Sequence, residues 1–168
     1  MDFQIVKLQS YEVAGFWPVF VTVLKTEFPG YTSKVVDYFV QKIYTQASFV
    51  YWLSNNLKTV IVAKVNFQIV GFAVIDEPYG GVSFCRWLGI KQDFQKKGIG
   101  KKIVDEWLML AKSQHCHKAE VASQPGAKAF YEKISLDYEG ERKLSYFGIT
   151  QYLYGKIIGQ PDDEIMTK

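Results

Sequence analysis

The stretch Gln-Lys-Lys-Gly-Ile-Gly-Lys-Lys, residues 95–102, carries the strongest fold signal in this chain. Apolar residues follow it at helical spacing, so we predict an amphipathic helix over residues 95–114. A helix dipole favours acidic side chains in the first turn and basic ones in the last. Here the order is reversed, because the lysines come first and Asp105 and Glu106 come later. The pattern indicates an anion bound at the start of the helix.

Two glycines make the same stretch suitable for a phosphate group. Gly98 and Gly100 let the backbone approach a ligand closely, since neither carries a Cβ. The first N–H groups of a helix have no partner within it and act as donors to anions. The stretch therefore predicts a phosphate cradle. A solvated lysine patch is the alternative interpretation.

The composition is typical of one ordinary folded domain. The chain has 168 residues, of which 48% are apolar, so we expect a single domain over residues 1–158 and a polar C-terminal tail over 159–168. The net charge of +3 is mild and spread along the chain, so charge alone does not indicate nucleic acid as a partner, and we expect none. Cys85 and Cys116 follow no zinc spacing and are expected to be reduced thiols.

The sequence shows neither a signal peptide pattern nor a membrane span. The N-terminus has no basic and apolar leader, and the longest apolar run, residues 16–24, is too short to cross a bilayer. We therefore expect a cytoplasmic protein without a membrane partner, either a monomer or a homodimer.

Periodicity and turn residues predict alternating strands and helices. A helix starts near Ser33 with Thr32 or Ser33 as its cap, and Pro18 starts, kinks or ends an earlier one. The predicted strands span 2–8, 57–65, 68–75, 82–90, 118–122, 138–147 and 151–158, and a further helix spans 125–134. The strand, helix and strand over 82–122 imply a parallel pair. The predicted class is α/β (α+β), with a mixed, mostly antiparallel sheet of about six to seven strands flanked by helices.

Two motifs in this order resemble a known family. Gln95, Gly98 and Gly100 lie between the fourth strand and its helix, and Ala-Lys-Ala-Phe-Tyr-Glu-Lys at 127–133 lies in the helix after the fifth strand. Together they are similar to the GCN5-related N-acetyltransferase (GNAT) superfamily, which implies a single-domain acyl-CoA N-acyltransferase fold. The resemblance implies that the fourth and fifth strands splay apart and that pantetheine lies along the fourth.

Carried over to this chain, the resemblance implies acetyl-CoA as co-substrate and no metal. The implied coenzyme-binding residues are Leu88, Gly89, Ile90, Gln95, Lys96, Lys97, Gly98, Ile99, Gly100 and Lys101, with Gln124 as a further contact. Tyr131 would stand beside the coenzyme sulfur and donate a proton to the departing thiolate. Its alternative role is that of a packing tyrosine.

The general base is not evident from the sequence. The fourth strand of GNAT enzymes often supplies a carboxylate, whereas residues 82–90 contain neither Asp nor Glu. Glu120 is the first candidate, because strand alternation places it on one face with Lys118, and Asp93 is a second candidate. A simple ion pair between Glu120 and Lys118 is the alternative.

The remaining motifs exclude other functions or point to the acceptor. His115, Cys116 and His117 are adjacent and cannot easily wrap one metal ion. An aromatic wall for the acceptor is expected from residues 28–31 and 146–147. The sequence thus predicts transfer of an acetyl group to a primary amine of a small molecule or peptide by direct attack in a ternary complex. The alternatives are a catalytically inactive acyl-CoA-binding regulatory module and a nucleic-acid binder.

Overall fold

A computed structural model describes residues 2–134 and 136–167. Over these residues the chain forms a mixed sheet of seven strands in the order β1-β2-β3-β4-β5-β7-β6. The strands are β1 Gln4–Lys7, β2 Lys58–Val65, β3 Gln68–Asp76, β4 Val82–Ile90, β5 Lys118–Ser123, β6 Asp137–Arg142 and β7 Gln151–Ile157. The helices are α1 Val13–Glu27, α2 Ser33–Tyr38, α3 Gln46–Ser54, α4 Ile99–Ser113, α5 Lys128–Lys133 and α6 Asp163–Met166. This arrangement confirms the predicted mixed fold.

Local sequence explains several of these elements. Asn66 and Phe67 both adopt positive φ, at 47° and 65°, which gives the two-residue turn that joins β2 and β3 as a tight hairpin. Thr32 caps α2, because its side chain accepts a hydrogen bond from the Val35 N–H. The strands β4 and β5 pair in parallel, as the strand, helix and strand order predicted.

Several elements differ from the sequence prediction. The Lys-rich helix begins at Ile99 rather than near residue 95, because residues 95–98 form a loop. Helix α1 runs through Pro18 and neither starts nor ends there. Helix α3 was not predicted, although Thr45 caps it in the same way as Thr32 caps α2. Strand β6 ends at Arg142, and a short 3₁₀ turn holds residues 146–148.

The sheet separates two apolar cores. One core packs α1 and α3 against the sheet and is rich in aromatic side chains, among them Phe16, Phe20 and Phe49. The other packs α4 and α5 against the opposite face, with Ile103 and Trp107 fully buried. Trp107 donates a hydrogen bond from its indole N–H to the Ser83 hydroxyl at 2.9 Å.

Candidate active site

The sheet opens in its middle. The parallel pairing of β4 with β5 starts at Val82 and Lys118 and ends at Cys85 and Val121, although β4 continues to Ile90. Beyond that point the two strands diverge and border a cleft of about 1030 Å³. The cleft reaches from the start of α4, past β4 and α5, to the segments 28–31 and 142–151.

Alternate backbone groups of β4 face this gap. The Lys91 N–H donates to the Val70 carbonyl at 2.9 Å, so Gly89 and Trp87 also pair toward β3. By the same alternation, the N–H and C=O groups of Leu88 and Ile90 point to the gap. The Gln95 side-chain amide confirms this direction, because it donates to the Ile90 carbonyl at 3.1 Å. The open edge of β4 therefore offers unpaired strand hydrogen bonds to an extended ligand.

The loop before α4 forms a cradle at one end of the cleft. Gly98 has φ of 83°, a conformation that favours glycine, and its carbonyl accepts the first helical bond from the Lys102 N–H at 3.2 Å. The N–H groups of Ile99, Gly100 and Lys101 precede that bond and have no helical acceptor. A Cβ at Gly100 would lie 3.0 Å from the Phe130 ring, so the glycine keeps the cradle floor open.

The predicted coenzyme-binding residues divide into two groups. Nine of them line the cleft: Leu88, Gly89, Ile90, Gln95, Lys96, Gly98, Gly100, Lys101 and Gln124. The Lys97 ammonium instead donates to the Asp93 carbonyl at 2.6 Å, and the Ile99 side chain is buried in the core. Lys101 pairs with Asp105 at 2.8 Å on the surface, a weak interaction that an anionic ligand can replace.

Gln95 is fixed by a carboxylate that the sequence analysis did not single out. The Glu27 carboxylate accepts a hydrogen bond from the Gln95 side chain at 2.6 Å, and both line the cleft. A signal was present, because an acidic residue at the last position of α1 opposes the helix dipole, as the lysines at the start of α4 do.

Two further polar groups border the gap, one at the last residue of β5 and one directly after it. The Gln124 side-chain oxygen accepts a hydrogen bond from the Gly30 N–H at 3.3 Å and thereby holds the loop after α1. The Ser123 hydroxyl is buried and has no hydrogen-bond partner among the described residues. A buried polar atom of this kind is normally satisfied, so it is available to a ligand in the cleft.

Tyr131 also lines the cleft, from α5. Only 4% of the residue is exposed, and its ring stacks on Tyr154 with the centroids 5.4 Å apart. Burial raises the pKa of the Tyr131 phenol well above its ordinary value, and the nearby Cys85 thiol adds a smaller contribution. The hydroxyl therefore stays protonated at neutral pH.

Neither carboxylate considered as a base lines the cleft. Glu120 forms an ion pair with Lys118 at 2.8 Å, and Lys118 also contacts Glu139 at the same distance. The Asp93 carbonyl accepts from Lys97, and the residue lies in the 3₁₀ turn before the cradle. Among the described residues, Glu27 is the one carboxylate that lines the cleft.

A protein-family model matches the part of the chain that forms this site. The model of the acetyltransferase (GNAT) family matches residues 20–135, which include the cradle and Tyr131. This chain belongs to the GNAT family. No curated protein matches the sequence.

Solved GNAT structures share the fold at low sequence identity. PaiA N-acetyltransferase from Thermoplasma acidophilum, in complex with coenzyme A, is 16% identical, with a TM-score of 0.79 over 94% of this chain and 99% of that one. A GNAT acetyltransferase from Streptococcus pneumoniae is 19% identical, with a TM-score of 0.75 over 94% of this chain and all of the other. Ard1 from Thermoplasma volcanium is 15% identical, with a TM-score of 0.71 over 95% of this chain and all of the other.

The far end of the GNAT cleft is aromatic. Trp87 lies at its centre, with Phe28, Tyr31 and Tyr44 at centroid distances of 5.2, 6.0 and 5.5 Å. Phe147 closes the wall at 6.3 Å from Tyr31. The predicted aromatic wall is thus present, and it also includes Trp87 and Tyr44, which no sequence motif indicated.

Two general properties of the molecule follow from the described residues. Within them, no group of three histidine, cysteine or carboxylate side chains is close enough to hold a metal ion. Likewise, the described part of the chain contains no helix with the length and hydropathy that a membrane span requires.

Proposed function

We propose that this GNAT protein transfers an acetyl group from acetyl-CoA to a primary amine of a small molecule or peptide, by direct attack in a ternary complex. The observation that carries the proposal is the gap between β4 and β5, which leads directly to the cradle at the start of α4. An extended chain with a diphosphate at one end matches this shape. The family membership supports acetyl transfer in general.

The residues of the cleft fit a coenzyme of this kind. The amide groups of Leu88 and Ile90 face the gap where a pantetheine chain can add to the strand, and the Ser123 hydroxyl has no partner there among the residues that the structure describes. The first-turn N–H groups of α4, with Lys96 and Lys101, suit the diphosphate. Bound acetyl-CoA supplies the activated thioester carbonyl.

Two groups of the protein serve the chemistry. The Leu88 N–H, at the open edge of β4, is placed to hold the negative charge that develops on the carbonyl oxygen. The acceptor nitrogen forms the new C–N bond as the C–S bond breaks, and the Tyr131 hydroxyl gives its proton to the departing sulfur. Its raised pKa keeps that proton available.

The proton of the acceptor amine leaves through water in this scheme. Among the described residues, the carboxylate that lines the cleft is Glu27, which is hydrogen bonded to Gln95 at the cradle end. Glu120 is paired with Lys118 outside the cleft. The amine therefore reacts from its neutral form, and the rate is expected to rise with pH toward the pKa of the acceptor.

The test combines coenzyme binding and turnover. Acetyl-CoA at 100 times its Kd is expected to stabilise the protein by about 2.7 kcal/mol, which thermal unfolding measures. Thiol release with a panel of primary amines then reports transfer. Absence of both stabilisation and release contradicts the proposal. Tight binding without release from any amine favours the inactive coenzyme-binding module instead.

A further inference from the structure

The charge of the cleft is strongly one-sided. Five cationic side chains line it, namely Arg86, Lys96, Lys101, Lys133 and Arg142. Among the described residues the single lining carboxylate is Glu27, at the cradle end. Lys96 and Lys101 belong to the cradle, but Arg86 and Arg142 lie with the aromatic wall at the opposite end. The coenzyme phosphates do not account for these two guanidinium groups.

Arg86 is held by two hydrogen bonds from its guanidinium group to one carboxylate. Its Nε and Nη2 atoms both donate to Asp76, at 2.9 and 2.5 Å, and the guanidinium lies 4.5 Å from the centre of the Phe84 ring. Asp76 is also paired with Lys58, so one carboxylate serves two cations and a net positive charge remains. Within the described residues Nη1 has no hydrogen-bond partner.

The field of Arg86 reaches the acceptor end of the cleft. Burial raises the pKa of the Tyr31 and Tyr44 phenols, and Arg86 makes a smaller contribution in the opposite direction on both, which its partner Asp76 opposes at Tyr44. The two rings lie beside Trp87, whose backbone follows Arg86 directly. Arg86 and the aromatic residues Tyr31, Tyr44 and Trp87 thus line the same cleft.

Arg142 adds a second cation to the wall of the cleft. It ends β6 opposite Gln151, and both residues line the cleft. Within residues 2–134 and 136–167, Arg142 has no ion pair and no side-chain hydrogen bond. An unpaired cation at the wall of the cleft is available to an anionic group of a ligand.

From these observations, and resting on the proposed function, we infer that the acceptor is a small amine that carries a carboxylate, of the amino-acid class with an apolar or aromatic side chain. Arg86 binds the carboxylate, Arg142 adds to the positive field, and the aromatic wall packs against the side chain. Arg86 and Leu88 are two residues apart on β4, so their Cα atoms are at most about 7 Å apart. That span suits an amine and a carboxylate within one small molecule.

The same positive charges favour loss of the proton from the acceptor amine. Nearby positive charge disfavours the ammonium form of a bound amine and lowers its pKa. Pairing the carboxylate with Arg86 also withdraws the negative charge that stabilises the ammonium within a free amino acid. The arginines thus favour the neutral amine that the reaction requires.

Matched acceptor pairs test this inference. Phenylalanine and 2-phenylethylamine, or tryptophan and tryptamine, differ only in the carboxylate. The expected result is a kcat/KM at least tenfold higher for the amino acid in each pair, because charge-assisted hydrogen bonds to guanidinium groups are strong. Equal or faster acetylation of the decarboxylated amines overturns the inference and leaves the proposed function intact.

Variants assign the effect to the named residues. Arg86→Gln is expected to reduce the preference for the amino acid at least tenfold, mainly through KM, and Arg86→Lys to retain part of it. Lys112→Gln removes a cation from the end of α4, outside the cleft, and serves as the matched control. A preference that survives both Arg86→Gln and Arg142→Gln contradicts the assignment. If no amine of either kind is acetylated, the proposed function fails and the inference fails with it.

Discussion

The buried phenol of Tyr131 leads to the first residue-scale prediction. Tyr131→Phe removes the hydroxyl and keeps the ring that stacks on Tyr154. We expect kcat to fall about 100-fold, as is typical for loss of a general acid, with little change in coenzyme Kd. Because burial raises the pKa of the phenol, its proton is lost only above its ordinary pKa of about 10, so the wild-type rate should not decline between pH 7 and 9.

Thiol-release kinetics and calorimetry check both parts of that prediction. Tyr154→Phe is a suitable control, because it removes a neighbouring hydroxyl on β7 that does not line the cleft. An unchanged kcat in Tyr131→Phe would leave Tyr131 as a packing residue.

The cradle glycine gives a second residue-scale prediction. In Gly100→Glu, the new Cβ approaches the Phe130 ring and the carboxylate repels the diphosphate. We expect coenzyme affinity to fall at least 100-fold, measured by calorimetry. Gly15→Glu is the matched control, because nothing lies within 4 Å of a Cβ at Gly15 and the residue is outside the cleft. Equal losses of affinity in the two variants would argue against the cradle.

The sequence indicated which residues line the cleft better than it indicated where each side chain points. The reversed charge order predicted an anion site at residues 95–101, since a helix dipole acts on any charge near its end, and five of these residues line the cleft. It did not reveal that Lys97 turns back to the Asp93 carbonyl, or that Glu27 reaches Gln95 across 68 positions of the chain. Such contacts depend on the tertiary fold, which brings α1 next to the loop before α4.

At the scale of elements, the start of α4 depends on one backbone conformation. Gly98 has φ of 83°, and nothing lies within 4 Å of a Cβ built on it. Gly98→Ala is therefore expected to lower the free energy of unfolding by about 1 kcal/mol through backbone strain alone. Gly15→Ala, within α1, is expected to raise it by about 0.5–1 kcal/mol, because alanine favours the helix. Urea unfolding measures both, and a stabilising Gly98→Ala would contradict the strain argument.

Element boundaries were predicted where a local signal existed. Strand β4 matches the predicted residues 82–90, because β-branched and aromatic residues there are bounded by the turn at 76–81. Helix α3 was missed, since its apolar residues carry little helical periodicity: Val50 and Tyr51 are exposed to solvent beside the buried Phe49. Strand β6 was predicted too long, because Leu144 and Phe147 adopt positive φ and turn the chain away from the sheet.

At the scale of the whole molecule, the two thiols report on its stability. Cys85 and Cys116 are 2% and 3% exposed, and burial raises the pKa of each. A raised pKa leaves less thiolate, the reactive form, so we expect neither thiol to react with Ellman's reagent in the native protein. The native protein should therefore add no background to thiol-release assays. In urea, both cysteines should react.

Coenzyme binding should slow that labelling, because it raises the free energy of unfolding. If the thiols become accessible only through unfolding, a coenzyme analogue without the sulfhydryl, at 100 times its Kd, lowers the labelling rate about 100-fold. Cys116→Ala isolates Cys85, which lies on β4 where the sheet begins to open. Labelling of Cys85 that is fast and insensitive to the analogue would show that Cys85 becomes exposed by a local opening that leaves the coenzyme site unchanged, without unfolding of the two cores on either side.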